Sequence, residues 1–346
     1  MGDAMKRAYY GHDSQIMGVE EHRLIGGRGD GMRILEVRNG NGLEFTVSLD
    51  RCADISRLSF FGYNFGFMSV NGYVDPAYYD DKGTGWLKSF TAGFLTTCGL
   101  ENIGPACTDC GERLPLHGHI SNTPAERVLW DYDEKEIWIK AYVPQACIFG
   151  RKLMLERRIT CRRDENRMEL SDTIRNYGCA PSPVTLLYHI NIGYPLLEEN
   201  AELYIPSESV SARDDRAADG LKMWNRVGPP EAGFTEQCYF HDFGPAPGRA
   251  GIFNPDIQKG LMVQYDTAKL THFTQWKMMG VNDYALGLEP SNCSLLGRDA
   301  ARRRDELTVL EPRESVTYCV GITMADGESA WRALKQELDS GTWHPA

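Results

Sequence analysis

Three short segments of this 346-residue chain carry side chains that can move protons. The first is Leu114-Pro115-Leu116-His117-Gly118-His119-Ile120-Ser121-Asn122-Thr123-Pro124-Ala125. The second is Leu186-Leu187-Tyr188-His189-Ile190-Asn191, and the third is Ala285-Leu286-Gly287-Leu288-Glu289-Pro290. His117 and His119 are two apart among apolar residues, so a strand there would turn both to one face. His189 and Asn191 would share a face in the same way. Glu289 closes an apolar run, and carboxylates are rarely left unpaired in such a run. Partial burial would lift its pKa toward neutrality and make it a usable base. A Glu and a His together supply acid and base near neutral pH without a metal. Taken singly, each histidine also fits a hydrogen-bonded core residue. Gly99 to Gly104 before the histidine pair and Ser121-Asn122 after it place polar groups beside glycines, where a ligand can approach the backbone.

The elements that must position these residues read as strands. Alternating runs cover Met32 to Val37, Leu43 to Leu49, Glu136 to Val143, Leu153 to Cys161, Arg167 to Arg175, Val184 to Ile192 and Ser315 to Thr323. Asn39-Gly40-Asn41-Gly42, Arg163-Asp164-Glu165-Asn166 and Asn176 to Pro181 supply turns between them. Helical spacing is convincing only near the end, where Ala330, Trp331, Leu334 and Leu338 share a face. The Gly-, Pro- and charge-rich stretch from Ala212 to Gly251 reads as loops. No internal repeat and no linker divides the sequence. The expected architecture is all-β: one domain over residues 1–346, a large sandwich of antiparallel sheets with a polar cleft on one concave face and a short C-terminal helix.

Bulk properties narrow the class. Net charge is −11, which disfavours nucleic acid and anionic membrane surfaces as partners. No run approaches the roughly 20 apolar residues of a membrane span. Met1 to Arg7 lacks the apolar run of a signal peptide. The ten cysteines are dispersed and read as reduced core residues rather than a disulfide framework. A cytoplasmic protein acting on a small molecule is expected.

The segments Leu116-His117-Gly118, Tyr188-His189-Ile190-Asn191 and Gly287-Leu288-Glu289-Pro290 resemble, in order, the three signature segments of the aldose 1-epimerase (galactose mutarotase) superfamily. Asp50-Arg51-Cys52-Ala53-Asp54-Ile55, Gly93 to Asn102, Leu114 to Ala125 and Thr274-Gln275-Trp276-Lys277-Met278 resemble its DUF4432 group more closely. The resemblance spans roughly residues 45–325. It implies a β-supersandwich and cofactor-free interconversion of α and β sugar anomers. It further implies His189 as general acid, Glu289 as general base, and His117 on the ring-oxygen side of the sugar. Such an enzyme would have a lower pH limb from Glu289 protonation and an upper limb from loss of the His189 imidazolium. His119, Asn102, Arg51, Gln275, Trp276 and Lys277 are candidate sugar contacts, with Asp54 a further polar candidate. Trp276, Tyr194 or Phe94 could stack on a sugar's apolar face. A sugar is the expected partner, and a homodimer is left open.

Two other classes compete. Cys107-x-x-Cys110 followed by His117-x-His119 offers four zinc-type ligands within a short span. A cupin-like sugar isomerase would instead use His117, His119 and Glu126. A non-catalytic carbohydrate-binding protein could sit on the same sandwich, because fold alone does not fix function.

Overall fold

The structure, a computed structural model, describes residues 8–163 and 165–339, the last three without side chains. Met1 to Arg7, Asp164 of the expected turn and the Leu338 side chain lie outside the described residues. Each of the seven expected runs is a strand: Arg33–Arg38, Leu43–Ser48, Glu136–Ala146, Lys152–Arg162, Arg167–Asn176, Ser182–Ile192 and Ser315–Asp326. Alternation explains them. Along Glu136–Ala146 every second residue, from Ile137 to Gln145, is buried while its neighbours are partly exposed.

Two expectations fail. Ala212 to Gly251 is not all loop, since it contains the buried strands Gln237–Asp242 and Gly248–Asn254 and the short helix Asp215–Asp219. Strands covered on both faces show no period-two signal. The histidine segment, in turn, is not a strand. The hairpin Cys107–Asp109 and Glu112–Leu114 ends at Leu114, a turn follows, and Ile120–Asn122 is a 3-10 turn. His117 and His119 therefore do not share a strand face.

The strands form three main sheets. An N-terminal meander joins Gly18–Arg23, Arg33–Arg38, Leu43–Ser48, Asp54–Phe60 and Tyr63–Asn64. An eight-stranded sheet runs Arg127–Tyr132, Glu136–Ala146, Lys152–Arg162, Arg167–Asn176, Ser315–Asp326, Lys259–Tyr265, Gly248–Asn254, Glu202–Tyr204. The seven-stranded sheet runs Ser209–Ala212, Gln237–Asp242, His272–Met279, Tyr284–Ser291, Ser182–Ile192, Thr308–Leu310, with Leu95–Leu100 also paired to Ser182–Ile192. The described pairs of named strands are all antiparallel. Ile137, Ile139, Leu155 and Ile159 of the eight-stranded sheet share one core with Leu186, Tyr188, Ile190 and Leu288 of the seven-stranded sheet. The helix Glu328–Asp339 packs Trp331 on Phe253, with ring centroids 5.8 Å apart. No described helix is long and apolar enough to cross a membrane.

One polar cluster crosses this core. Arg157 is fully buried in Lys152–Arg162. It donates to both Asp172 oxygens at 2.9 and 2.7 Å, to Asp54 at 2.6 Å and to Thr97 Oγ1 at 2.7 Å. Asp54 also accepts from the Thr97 backbone at 2.8 Å and its hydroxyl at 2.6 Å. The meander, the eight-stranded sheet and the strand beside His189 thus meet at one guanidinium. Removing one partner of a buried pair costs about 3–5 kcal/mol, because the other charge stays buried and unpaired. Arg157→Met should therefore cost about that much in urea unfolding, and adding Asp54→Asn and Asp172→Asn should recover part of it. A single variant as stable as the native protein would contradict this role.

Candidate active site

His189 and Glu289 come together through strand register. Ser182–Ile192 pairs with Tyr284–Ser291 so that Leu187 faces Ser291 and Ile190 faces Leu288. That register sets His189 opposite Glu289. Their side chains meet, with His189 Nε2 3.3 Å from Glu289 Oε1. Both are buried, at 6% and 1% exposure. On the next strand Thr274 faces Glu289 and Trp276 faces Gly287, so Trp276 joins the same side of the sheet. Gly287 keeps that side open: a Cβ there would overlap the Glu289 carboxylate and crowd Trp276.

His117 reaches the pair from a loop rather than a strand. It has φ 56°, and Gly118 follows with φ 71°. A Cβ on Gly118 would overlap the Gly99 carbonyl oxygen, so only glycine allows this approach. Gly99 N donates to His117 O at 3.0 Å and His117 N to Gly104 O at 3.0 Å, stitching the loop to the strand Leu95–Leu100. Gly104 N donates to His117 Nδ1 at 3.4 Å, which leaves the ring proton on Nε2. The His117 and His189 rings lie 5.9 Å apart, Phe90 and Trp276 flank His189 at 5.3 and 5.4 Å, and Trp86 lies 4.7 Å from His117.

These groups line a cavity of about 560 Å³, which also holds Arg213, Glu236, Cys238 and several apolar residues. Arg213 donates to Glu236 at 3.0 Å and to Asp214 at 2.8 Å, and Trp276 Nε1 donates to Glu236 at 2.8 Å. Burial pushes the Glu289 carboxyl well above the usual range, Glu236 adds to the rise, and Arg213 opposes it. Burial lowers His189 to about 4, partly countered by Asn191. Burial and the neighbouring His189 bring His117 down to about 3. Burial thus keeps both histidines uncharged at neutral pH and favours the uncharged form of the Glu289 carboxyl.

The other sequence candidates lie elsewhere. Gln275 and Lys277 flank Trp276, so strand alternation turns them to the opposite face. There Gln275 bonds His241 at 3.1 Å and Trp224 O at 2.9 Å, and Lys277 bonds Met223 O at 3.0 Å. Arg51 is buried against the carbonyls of Ser121, Val74 and Ser89 at 2.6–2.9 Å. Asn102 donates to the Pro105 and Pro115 carbonyls and accepts from Arg298 N at 2.9 Å. His119 turns away to Glu101 and Asp81. Burial opposes its charge, but the two carboxylates outweigh this and raise its pKa. Asp54 belongs to the Arg157 cluster, Phe94 is core, and exposed Tyr194 lines a different cavity. Cys107, Cys110, His117 and His119 do not gather, nor do His117, His119 and Glu126. Among the described residues, the His, Cys, Asp or Glu side chains grouped closely enough for a cation are the exposed Glu20, His22 and Glu36. Sequence reasoning missed Arg213 and Glu236, which lie in the stretch read as loops, and Trp86 and Phe90, which carry no polar signal.

Gly287 yields a direct test of the pair's geometry. Gly287→Ala should fold yet push the Glu289 carboxylate aside. The shifted carboxylate should change the His189 ring resonances in nitrogen-detected NMR at pH 7. Unchanged His189 resonances in this variant would mean that Gly287 does not fix the Glu289 position.

Residues 29–324 match the family described as a domain of unknown function, DUF4432. A Klebsiella pneumoniae structure named as a candidate aldose 1-epimerase is 26% identical, with TM-score 0.86, covering 94% of this chain and 90% of its own. A galactose mutarotase-like protein from Clostridium acetobutylicum is 11% identical, with TM-score 0.68, over 90% of this chain and 99% of its own. Galactose 1-epimerase from Lactobacillus acidophilus is 12% identical, with TM-score 0.61, over 90% of this chain and all of its own. These last two share the fold. No protein among those of curated function matches the chain. The family match covers most of the chain and the structural neighbours share its architecture: the chain belongs to the DUF4432 family and has the galactose mutarotase-like fold.

Proposed function

We propose that this protein interconverts the α and β anomers of a sugar in the cavity around His189 and Glu289. The observation that carries the reading is the buried pair, His189 Nε2 3.3 Å from Glu289 Oε1, at the wall of a cavity that His117 and Trp276 also line. Anomer exchange acts on two oxygens bonded to the same carbon. One partner takes the O1 proton while the other gives its proton to the ring oxygen. The C1–O5 bond breaks and C1=O1 forms. After rotation about C1–C2, closure on the other face returns both protons. The proton count of the pair is unchanged, so no cofactor enters the balance. The resemblance assigns the acid to His189 and the base to Glu289. That arrangement differs from the resting one only by transfer of one proton across the gap. Uncharged His117 presents its Nε2–H as a donor to a sugar oxygen, and Trp276 offers an apolar face.

Glu289→Gln keeps the shape and removes the titrating oxygen. Anomer exchange on the best aldose or ketose in a panel should fall by at least about 10²-fold, the usual weight of one acid–base group. The same variant should be more stable. A carboxyl whose folded pKa is raised stabilises the fold below its unfolded pKa, and that contribution is lost as pH rises through the folded value. At pH 7–8 Glu289→Gln should therefore melt about 2 °C or more above the native protein. Near-native exchange would refute the mechanism, and a lower melting temperature would refute the neutral buried carboxyl.

The pH profile tests the proton count. Exchange should be flat across neutral pH. It should fall as pH drops toward about 4, where His189 gains a second proton for the pair and the base is lost. It should fall again at alkaline pH, as Glu289 gives up the remaining proton and the acid is lost. The limbs are thus the reverse of the assignment expected from sequence. An acid limb that persists in Glu289→Gln and disappears in His189→Asn would support this order, and the opposite pattern would overturn it.

A further inference from the structure

Two indoles line the cavity around His189 and Glu289, and the fold treats their N–H groups differently. Trp276 Nε1 donates to Glu236 at 2.8 Å. Trp86 Nε1 is buried, and among the described residues no acceptor stands within hydrogen-bond reach of it. A buried indole usually finds a partner for its N–H. A buried donor left unmet keeps the full penalty of its desolvation.

Trp86 has no room to turn toward a partner. It lies on the short helix Gly85–Ser89 and is 3% exposed. Its ring stacks on Phe90 at 4.5 Å and sits 4.7 Å from the His117 ring. The backbone around it is fixed. Ser89 Oγ donates to Trp86 O at 3.2 Å, Arg51 bonds the Ser89 carbonyl at 2.9 Å, and Ser69 Oγ bonds the Phe90 carbonyl at 2.5 Å. The small core cluster to which it belongs, with Phe90, Ala92, Ile103, Leu187, Leu295 and Ala301, holds no side-chain oxygen among its buried members. The one changeable neighbour of this indole is whatever fills the cavity it lines.

We propose that Trp86 is a specificity-determining contact: its Nε1–H donates to a sugar hydroxyl beside the oxygen that His117 serves, and the site selects sugars that keep this hydroxyl. The inference rests on the anomer-exchange reading only for the ligand being a sugar. A hydroxyl oxygen accepts from a neutral N–H, whereas a methyl or ammonium group at the same place does not. The buried donor has no water to give up, so its bond forms without the usual exchange with solvent. One such contact is worth about 10-fold or more in affinity.

The test replaces Trp86 with 3-benzothienylalanine, which keeps the shape of the indole and lacks its N–H. The probes are the free hexose that binds the native protein most tightly in a panel of D- and L-hexoses, and the single-deoxy analogues of that hexose. Calorimetry gives binding, and anomer exchange is measured separately. The hexose should bind the replaced protein about 10-fold or more weakly. In the native protein one deoxy analogue should show a similar loss, and that loss should vanish in the replaced protein. The Trp86 indole N–H signal, assigned by its absence after replacement, should move downfield when the hexose binds. Without sugar the replaced protein should melt at or above the native one, since an unmet donor has been removed. A lower melting temperature would show that the N–H serves the fold and would overturn the inference. So would a bound hexose that leaves the signal unmoved, or deoxy losses that are the same in both proteins. Binding with these signatures but without anomer exchange would sink the anomerase reading alone. Exchange in the native protein with an unmoved signal would sink this inference alone. A panel with neither binding nor exchange would overturn both.

Discussion

Arg157 has no access to water, yet it carries a guanidinium that must be answered on every side. Asp172 answers it from the adjacent strand of the same sheet, Asp54 from the N-terminal meander, and Thr97 from the strand that lies beside His189. Desolvation opposes the charge, and the two carboxylates restore it. Asp54 is bound in turn to both the backbone and the hydroxyl of Thr97. Strand Leu95–Leu100 pairs with Ser182–Ile192, placing Thr96 opposite His189. The position of His189 is therefore tied through one neighbouring strand to the charge cluster that joins three layers. The apolar core alone would tolerate sliding of one layer on another. A cluster with directional bonds does not.

Burial does two things to the His189–Glu289 pair. It brings an imidazole and a carboxyl group into contact by register alone, since residues facing each other on antiparallel strands need no loop to meet. It also removes the water that would otherwise ionise them. Burial favours the uncharged form of both partners. The enclosing rings of Phe90, His117 and Trp276 sustain that state.

Much of the scaffold was legible because half-covered strands alternate. Glu136–Ala146 and Lys152–Arg162 announce themselves residue by residue, and the three motif segments led to His117, His189 and Glu289. The errors have physical causes. Gln237–Asp242 is buried on both faces and shows no alternation, so Glu236 beside it was hidden. Gln275, Trp276 and Lys277 are consecutive, and a strand can offer only the middle one to a cavity that Glu289 also faces. His117 was read as a strand residue, whereas the two glycines near it, Gly99 and Gly118, allow a loop to press into the sheet. His119, two residues on, is drawn away by Glu101 and Asp81. Arg51 and Asn102 are polar because backbone carbonyls of buried loops need donors. The helix carrying Trp86 leaves no trace in a sequence because its apolar residues point into a cavity formed by distant segments.

The account turns on the protonation of one buried pair. Nitrogen-detected NMR of protein labelled at histidine reads it directly, followed across pH 3 to 9 with Glu289→Gln as the reference. A neutral His189 ring throughout the neutral range, gaining its proton only as pH falls toward about 4, is the predicted result. A charged His189 ring at pH 7 that becomes neutral with an ordinary histidine midpoint would contradict it.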